Sequence, residues 1–455
     1  MQNSQGERLL SCSLPCPGIA PQDFLAVHDG SARFAWASAD GSLELAGAGS
    51  VAELFAWGNA RFATISRDAR ALFADALQAD NMPPLAGPRL FGGFAFRHDF
   101  TPDNIWSIYM PAWFVLPHYQ LAHAQAETWL TINAQMPQDE APAAMMKALE
   151  AALRAKIDQL RNYRPRRDQQ QSRRRDIDYP MSLAAWTRMI EQARDSIHAG
   201  QLNKVVLSRA AELRFDGAVQ LLPILRYLAK RYGDCYRFLF EPRPRYAFYG
   251  ASPELLAAIS GRHLYTMALA GSIKRGASTG EDEILGSRLL QSAKERGEQQ
   301  IVVDKICERL SPLAESLDVQ PIRLRKLRHI QHLYTPVHAR LNGASGLLSL
   351  ANTLHPTPAL GGDPRHAALR LIRQLEPIPR GWYGAPVGWL DAQLDGQFAV
   401  AIRSAVAQES RVWLYAGAGI VAHSQAQAEW DETALKLRPM LDAHAEHSSA
   451  NRRQR

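Results

Sequence analysis

Nowhere in this 455-residue chain do apolar residues run uninterrupted for anything near eighteen positions, so no membrane-spanning helix is expected. The opening residues, MQNSQGERLLSCSLPCPG, lack a basic stretch followed by a long apolar core, which argues against a secretory signal. Cysteine is scarce: Cys12, Cys16, Cys235 and Cys307 are irregularly placed. Cys12 and Cys16 have no second Cys or His pair at zinc spacing. Reduced thiols in a cytoplasmic protein are therefore expected in preference to a zinc site. Aromatic residues are missing from the one strongly basic segment, Tyr163 apart. That segment, residues 161–175, carries Arg161, Arg164, Arg166, Arg167, Arg173, Arg174 and Arg175 against Asp168, and the tail adds Arg452, Arg453 and Arg455. Without them the net charge of +7 falls to −2, so the body of the chain is not basic. The run reads as a solvated linker. Contact with RNA or an anionic surface is the secondary reading, and a salt-dependent electrophoretic shift would discriminate the two.

What is present is ordinary soluble-globular composition, 46% hydrophobic and 21% charged, in a chain long enough to bury a large core. Composition breaks at RNYRPRRDQQQSRRRDIDYP (161–180). Before it, short apolar runs such as LFGGFAF and TWLTIN, separated by Gly, Pro and Asp, predict a strand-rich part over 1–160, with a helix over 141–161. After it, SLAAWTRMIEQARDSIHAGQ predicts an amphipathic helix with Ser182 as N-cap. Strands are expected at LNKVVLSRAAELRF, CYRFLFEP, RYAFYGASPELLAAIS, HLYTMALAGSIK, GAPVGWLDA, QFAVAIRSAVA and VWLYAGAGIVA. Helices are expected at AVQLLPILRYLAKRYG, 281–317, 363–375 and 425–443. Hairpins mixed with helices point to α+β, with 181–443 as the catalytic region and 444–455 as a disordered tail.

Several polar residues interrupt apolar strands. Lys204 opens KVVLSR, and Arg209 follows five positions on. Glu254 follows Pro253 between two apolar runs. Taken singly, each is more often a solvent-facing or capping residue. Together a lysine and a carboxylate form a base and acid pair, provided burial or a nearby cation lowers the lysine's pKa. Glu295 and Glu298 share a helix face at i, i+3; Glu429 and Glu432 repeat the spacing, with Lys436 four residues on. Each face alone reads as solvated charge, but two of them could bracket one hard cation through oxygen ligands. Gly417 and Gly419 with Ala422 nominally match a dinucleotide fingerprint, but the apolar run continues through Ile420 and Val421 instead of opening a helix. Glycines there let backbone N–H groups approach an anion, and Arg403 is a natural bidentate carboxylate partner.

The strings KVVLSR, GASPELL, LAGS, LHPTPALGG, VGW, AIRSA, YAGAGIV and EWDETALKL, in this order over about 180–443, resemble the chorismate-utilising enzymes, most closely the isochorismate synthases. FGGFAF (91–96) extends the likeness before the break and favours a menaquinone-type over a siderophore-type relative. The resemblance implies two large antiparallel sheets with helices outside, and Mg²⁺-dependent isomerisation of chorismate, with water attacking C2 as the C4 hydroxyl leaves. It implies Lys204 as base, Glu254 as acid, Glu298 and Glu432 as Mg²⁺ ligands, and Glu295 and Glu429 holding the ion's water. Arg403, Lys436 and the backbone at Gly271, Gly417 and Gly419 would bind carboxylate; Ser272, His332, Ala359, Leu360, Tyr383 and Ala418 complete the implied substrate-binding set.

One departure concerns Gln299, where relatives commonly carry His after the metal-ligand Glu; Gln can replace the hydrogen bond but not the charge. Salicylate synthases, the alternative reading, keep the lysine but tend to carry Thr where this chain has Ala359, and Gly-Thr where it has Gly271-Ser272. Amine-adding relatives usually have another residue at position 204 and need a glutamine-hydrolysing partner, so no such subunit is expected, and a monomer is the default. A non-catalytic, nucleic-acid-binding protein remains the reading from a different class, carried only by the arginine run.

Overall fold

A computed structural model of the chain describes residues 7–78, 82–137, 140–164, 172–343 and 345–449, with side chains to residue 445. Among these, one sheet has twelve strands and a second has ten, and helices pack outside them. No helix among the described residues is long and apolar enough to cross a membrane.

The strand-rich N-terminal part is built into both sheets. Arg33–Ala37 pairs with Tyr236–Arg243 in the larger sheet, and Arg89–Phe94 pairs with Pro386–Asp391 in the smaller. The glycines of FGGFAF have a steric reason. Gly92 lies opposite Gly388 in register, and a Cβ would sit 2.2 Å from the Trp113 carbonyl at Gly92 and 1.9 Å from the Gln397 carbonyl at Gly388. Between the sheets Trp106, Tyr109, Trp113, Phe240, Phe248 and Trp382 pack largely edge-to-face or tilted. Each large side chain so buried contributes about 1.5–3 kcal/mol. Outside, Leu183–His198 buries Trp186, Met189, Ile190 and Ala193, an i, i+3, i+4, i+7 stripe, and Ser182 Oγ accepts from Ala185 N–H at 3.2 Å as expected.

Two apolar runs that read as single strands are each two. Tyr246–Ser252 lies in the twelve-stranded sheet and Leu255–Ser260 in the ten-stranded one. Gly396–Val400 and Ser404–Gln408 make the reverse passage. The two crossings are laced together. Val400 N–H donates to the Glu254 carbonyl (3.0 Å), Ala251 N–H donates to the Arg403 carbonyl (3.1 Å), and Ser252 Oγ donates to the Val400 carbonyl (2.6 Å).

Three other stretches differ from expectation. The single helix over 281–317 is two, Thr279–Gln291 and Ala293–Leu310, and Ala314–Val319 is a strand beside Ile330–Leu341. Arg174–Asp178, within the expected linker, is a strand on Lys204–Phe215, where Asp176 faces Arg214; residues 165–171 lie outside the described residues. The last helix runs Ala426–Ser449, past the expected start of the tail at 444, because His444 is buried and hydrogen-bonded to Tyr249 Oη at 2.8 Å. The remainder of that tail, 450–455, lies outside the described residues.

Candidate active site

Lys204 is the first residue of the Lys204–Phe215 strand, which lies between Arg411–Ile420 and the short Gly362–Asp363 strand. Its side chain projects from the sheet toward the Ala293–Leu310 helix rather than into solvent, and Lys204 is 1% exposed. Its Nζ donates to Glu298 Oε1 on the Ala293–Leu310 helix. Gly419 makes room: a Cβ there would lie 2.8 Å from Lys204 Cε and 3.1 Å from Glu298 Oε1.

Glu254 sits in the crossing between sheets and is 3% exposed. Burial pushes its carboxyl up to about 8, against the pull of Arg403, Lys204 and Lys436, so it is held protonated at neutral pH. Arg403 occupies the neighbouring crossing in the left-handed region, φ 51°, a conformation costing a non-glycine residue about 1–3 kcal/mol. Its buried guanidinium lines the same pocket and has no hydrogen-bond or ion-pair partner among the described residues.

That pocket encloses about 830 Å³, including its open mouth. Four carboxylates reach it from two helices, Glu295 and Glu298 from one, Glu429 and Glu432 from the other. Burial works against the charge of Glu298, but Lys204 outweighs it and holds the carboxyl below its usual range. Glu295 is raised by burial and by Glu298. Glu429 is raised to about 7 by burial and by Glu432. Glu432 Oε1 pairs with Lys436 Nζ at 2.5 Å, and the same Nζ donates to the Gly417 carbonyl at 2.9 Å. Among the described residues no three His, Cys, Asp or Glu side chains are already gathered as a metal cluster.

The remaining wall is backbone and small groups. Gly271, φ 72°, forms a bulge between Ala270 and Ser272, and Ser272 N–H donates to Glu295 Oε2 at 3.2 Å. His332, opposite Ser272 in register, shares a 2.8 Å hydrogen bond with Ser272 Oγ through Nδ1, and its buried Nε2 has no hydrogen-bond partner among the described residues. Burial, then Arg403 and Lys436, keep His332 neutral. Ala359, Leu360, Tyr383, Gly417 and Gly419 also line the pocket. Tyr383 stacks on Tyr415 with centroids 5.3 Å apart, and burial pushes its hydroxyl up to about 12.

Two sequence-named residues stand apart from this lining. Lys204 is turned to Glu298, and Ala418 packs its side chain into the core. Gln299 is a bracket: its Oε1 accepts from Ala270 N–H at 2.7 Å, and its Nε2 donates to the Ala268 carbonyl and Thr335 Oγ1. These bonds need no charge, which answers the His-to-Gln departure in this chain. Arg209 is structural, stacked 3.6 Å from the Trp430 ring centroid and donating to Thr433 Oγ1.

Sequence reasoning missed Lys294, half-exposed at the pocket and 3.9 Å from Glu295, although its place beside Glu295 was a signal. It also missed the Glu376–Arg380 pair. Arg380 donates to the Val206 and Leu360 carbonyls (2.7 and 2.9 Å) while Glu376 accepts from Ser208 N–H (2.7 Å), tying the lysine strand to the Ala359–Leu360 loop. The site as a whole offers a buried acid, a guanidinium without a partner among the described residues and four oxygen-donor carboxylates facing one cavity, with a buried lysine behind Glu298.

Comparison with known proteins gives the same outline. The family model described as chorismate binding enzyme matches residues 1–445. The salicylate biosynthesis isochorismate synthase of Pseudomonas aeruginosa is 36% identical over 403 residues, covering 87% of this chain and 81% of its own. The isochorismate synthase MenF of Bacillus subtilis is 36% identical over 358 residues, 78% of this chain and 74% of its own. The solved structure of MenF, the menaquinone-specific isochorismate synthase from Escherichia coli, superposes with a TM-score of 0.80 at 25% identity, covering 97% of this chain and 96% of that one.

Proposed function

The chain belongs to the chorismate binding enzymes, and we propose that it converts chorismate to isochorismate, with Lys204 taking a proton from the attacking water and Glu254 protonating the departing hydroxyl. The observation that carries this reading is the pairing of opposites around one cavity. Glu254 is held protonated by burial, as an acid must be, and a buried lysine stands behind the pocket wall on Glu298. Arg403 is left free to take a substrate carboxylate bidentately, and Lys436 stands beside it. Water is the only co-substrate needed, so no glutamine-hydrolysing subunit is proposed, and the monomer is taken as the working unit. The four cysteines are free, which suits a reducing, cytoplasmic setting.

The donor set fits Mg²⁺ in its chemistry. All four candidate ligands are carboxylates, and the mutual repulsion within each pair is what a dication relieves. Glu298 and Glu432 would hold the ion, with Glu295 and Glu429 ordering its hydration. When bound, Mg²⁺ supplies Lewis-acid stabilisation of charge developing in the substrate. This chain's own residues orient the dicarboxylate, close off one side of the cavity with the Leu360, Ile402 and Val206 wall, and move the two protons.

Ala359 and the Gly271-Ser272 pair favour stopping at isochorismate over eliminating pyruvate. A coupled lactate dehydrogenase assay should find little pyruvate during turnover; stoichiometric pyruvate alongside salicylate would move the enzyme to the salicylate synthases. The acid assignment has a pH signature. Glu254 is competent only while protonated, so kcat/KM should fall as pH rises through about 8. In Glu254→Gln, which cannot donate an acidic proton, that limb should vanish together with most of the rate. A falling limb retained unchanged in Glu254→Gln would assign the group elsewhere.

A further inference from the structure

Resting on the reading of Glu298 and Glu432 as metal ligands, we propose that Lys204 and Lys436 are resident stand-ins for the dication, which must displace both when it binds. Of the two acidic helix faces, each has its second glutamate taken by an ammonium group. Lys204 reaches Glu298 from the start of the Lys204–Phe215 strand through the gap beside Gly419, and Lys436 reaches Glu432 from one turn further along the same helix. The first glutamate of each face has no ammonium partner so close among the described residues: Glu295 accepts Ser272 N–H, and its ion pair with the half-exposed Lys294 is 3.9 Å long. Two ammonium groups carry the charge of one dication, and they lie on the two carboxylates proposed to hold it. A dication arriving beside both lysines in a poorly solvated pocket would meet strong like-charge repulsion.

The exchange has a consequence for the reaction. With its Nζ engaged by Glu298, Lys204 does not line the pocket, whereas Glu298 does. Loss of that partner on metal binding would free Lys204 to turn toward the water, where it can act as a base only after its ammonium proton has passed to solvent. Lys436, if released from Glu432, would still have the Gly417 carbonyl to hold it at the substrate's edge, a hydrogen bond of 2.9 Å in this structure. On this reading, metal binding would assemble the site through Lys204 and Lys436 as well as supply charge stabilisation within it.

The test is Mn²⁺ binding by the full chain without chorismate, read from the electron paramagnetic resonance signal of the free ion, with thermal melts to confirm folding. Lys204→Met and Lys436→Met each remove a competitor and should bind Mn²⁺ about tenfold more tightly than the unsubstituted chain, an ordinary coupling between sites. Lys294→Met removes the same charge from the pocket mouth without freeing either ligand, and should change affinity by no more than about threefold, as for an exposed charge. Equal tightening in all three variants, or none in the first two, overturns the displacement while leaving the metal assignment standing. Failure of every variant and of the parent chain to bind Mn²⁺, with chorismate present as well as absent, would remove the metal assignment itself.

Discussion

Glu432→Gln should abolish turnover while the chain stays folded. The substitution keeps shape but takes a full charge from the donor set, and Mg²⁺ depends on hard anionic oxygens to offset its dehydration. A loss of at least about 10³-fold is expected, because removing even a single neutral stabiliser of transition-state charge costs 10²–10³-fold. Folding has little at stake: Glu432 keeps 35% of its side chain in solvent, and its i, i+4 partner is Lys436. Such pairs contribute about 0.3–0.5 kcal/mol. Excess EDTA should silence the parent protein equally, and restored Mg²⁺ should revive the parent but not Glu432→Gln. Full activity in EDTA would remove the metal from the account.

Lys204→Ala should lose roughly 10²–10⁴-fold in kcat, the usual worth of a general base. KM should move far less, since Arg403 and Lys436 still hold the substrate. The alanine strips Glu298 of its ion-pair partner, yet 21% of the Glu298 side chain meets solvent in the pocket, where water and cations can compensate it. Lys204→Arg separates chemistry from charge. It retains the cation beside Glu298, but a guanidinium does not surrender its proton in a protein, so it should be stably folded and nearly as inactive as the alanine variant. A decrease of only a few-fold in both variants would reduce Lys204 to a structural ion pair.

Polar groups in apolar strands stand out in a sequence because they are costly to bury and need a reason. Lys204, Glu254 and Arg403 were legible on that ground, and the two Glu-x-x-Glu faces were legible from helical spacing. The partnerships were not. Lys204 and Glu298 are 94 residues apart, and nothing local to either string announces the other. Nor were the sheet crossings legible, since Tyr246–Ser252 and Leu255–Ser260 are both buried and equally apolar, with Pro253 as the one punctuation. Yet those crossings put Glu254 and Arg403 side by side. The strands Ala314–Val319 and Arg323–Lys326 escaped notice for another reason. They lie at the edge of their sheet, where charged residues such as Glu315, Asp318 and Arg325 are tolerated and mask alternation. Helical composition in the tail ran past its expected end because His444 docks under Tyr249, a contact between residues 195 positions apart.

The account stands most directly on the fate of one oxygen atom. Incubation of the protein with chorismate and Mg²⁺ in H₂¹⁸O, followed by chromatography and mass spectrometry of the products, should yield isochorismate carrying one ¹⁸O, because solvent water supplies the new C2 hydroxyl as the C4 hydroxyl leaves. Recovery of chorismate alone, or of isochorismate without label, would contradict it.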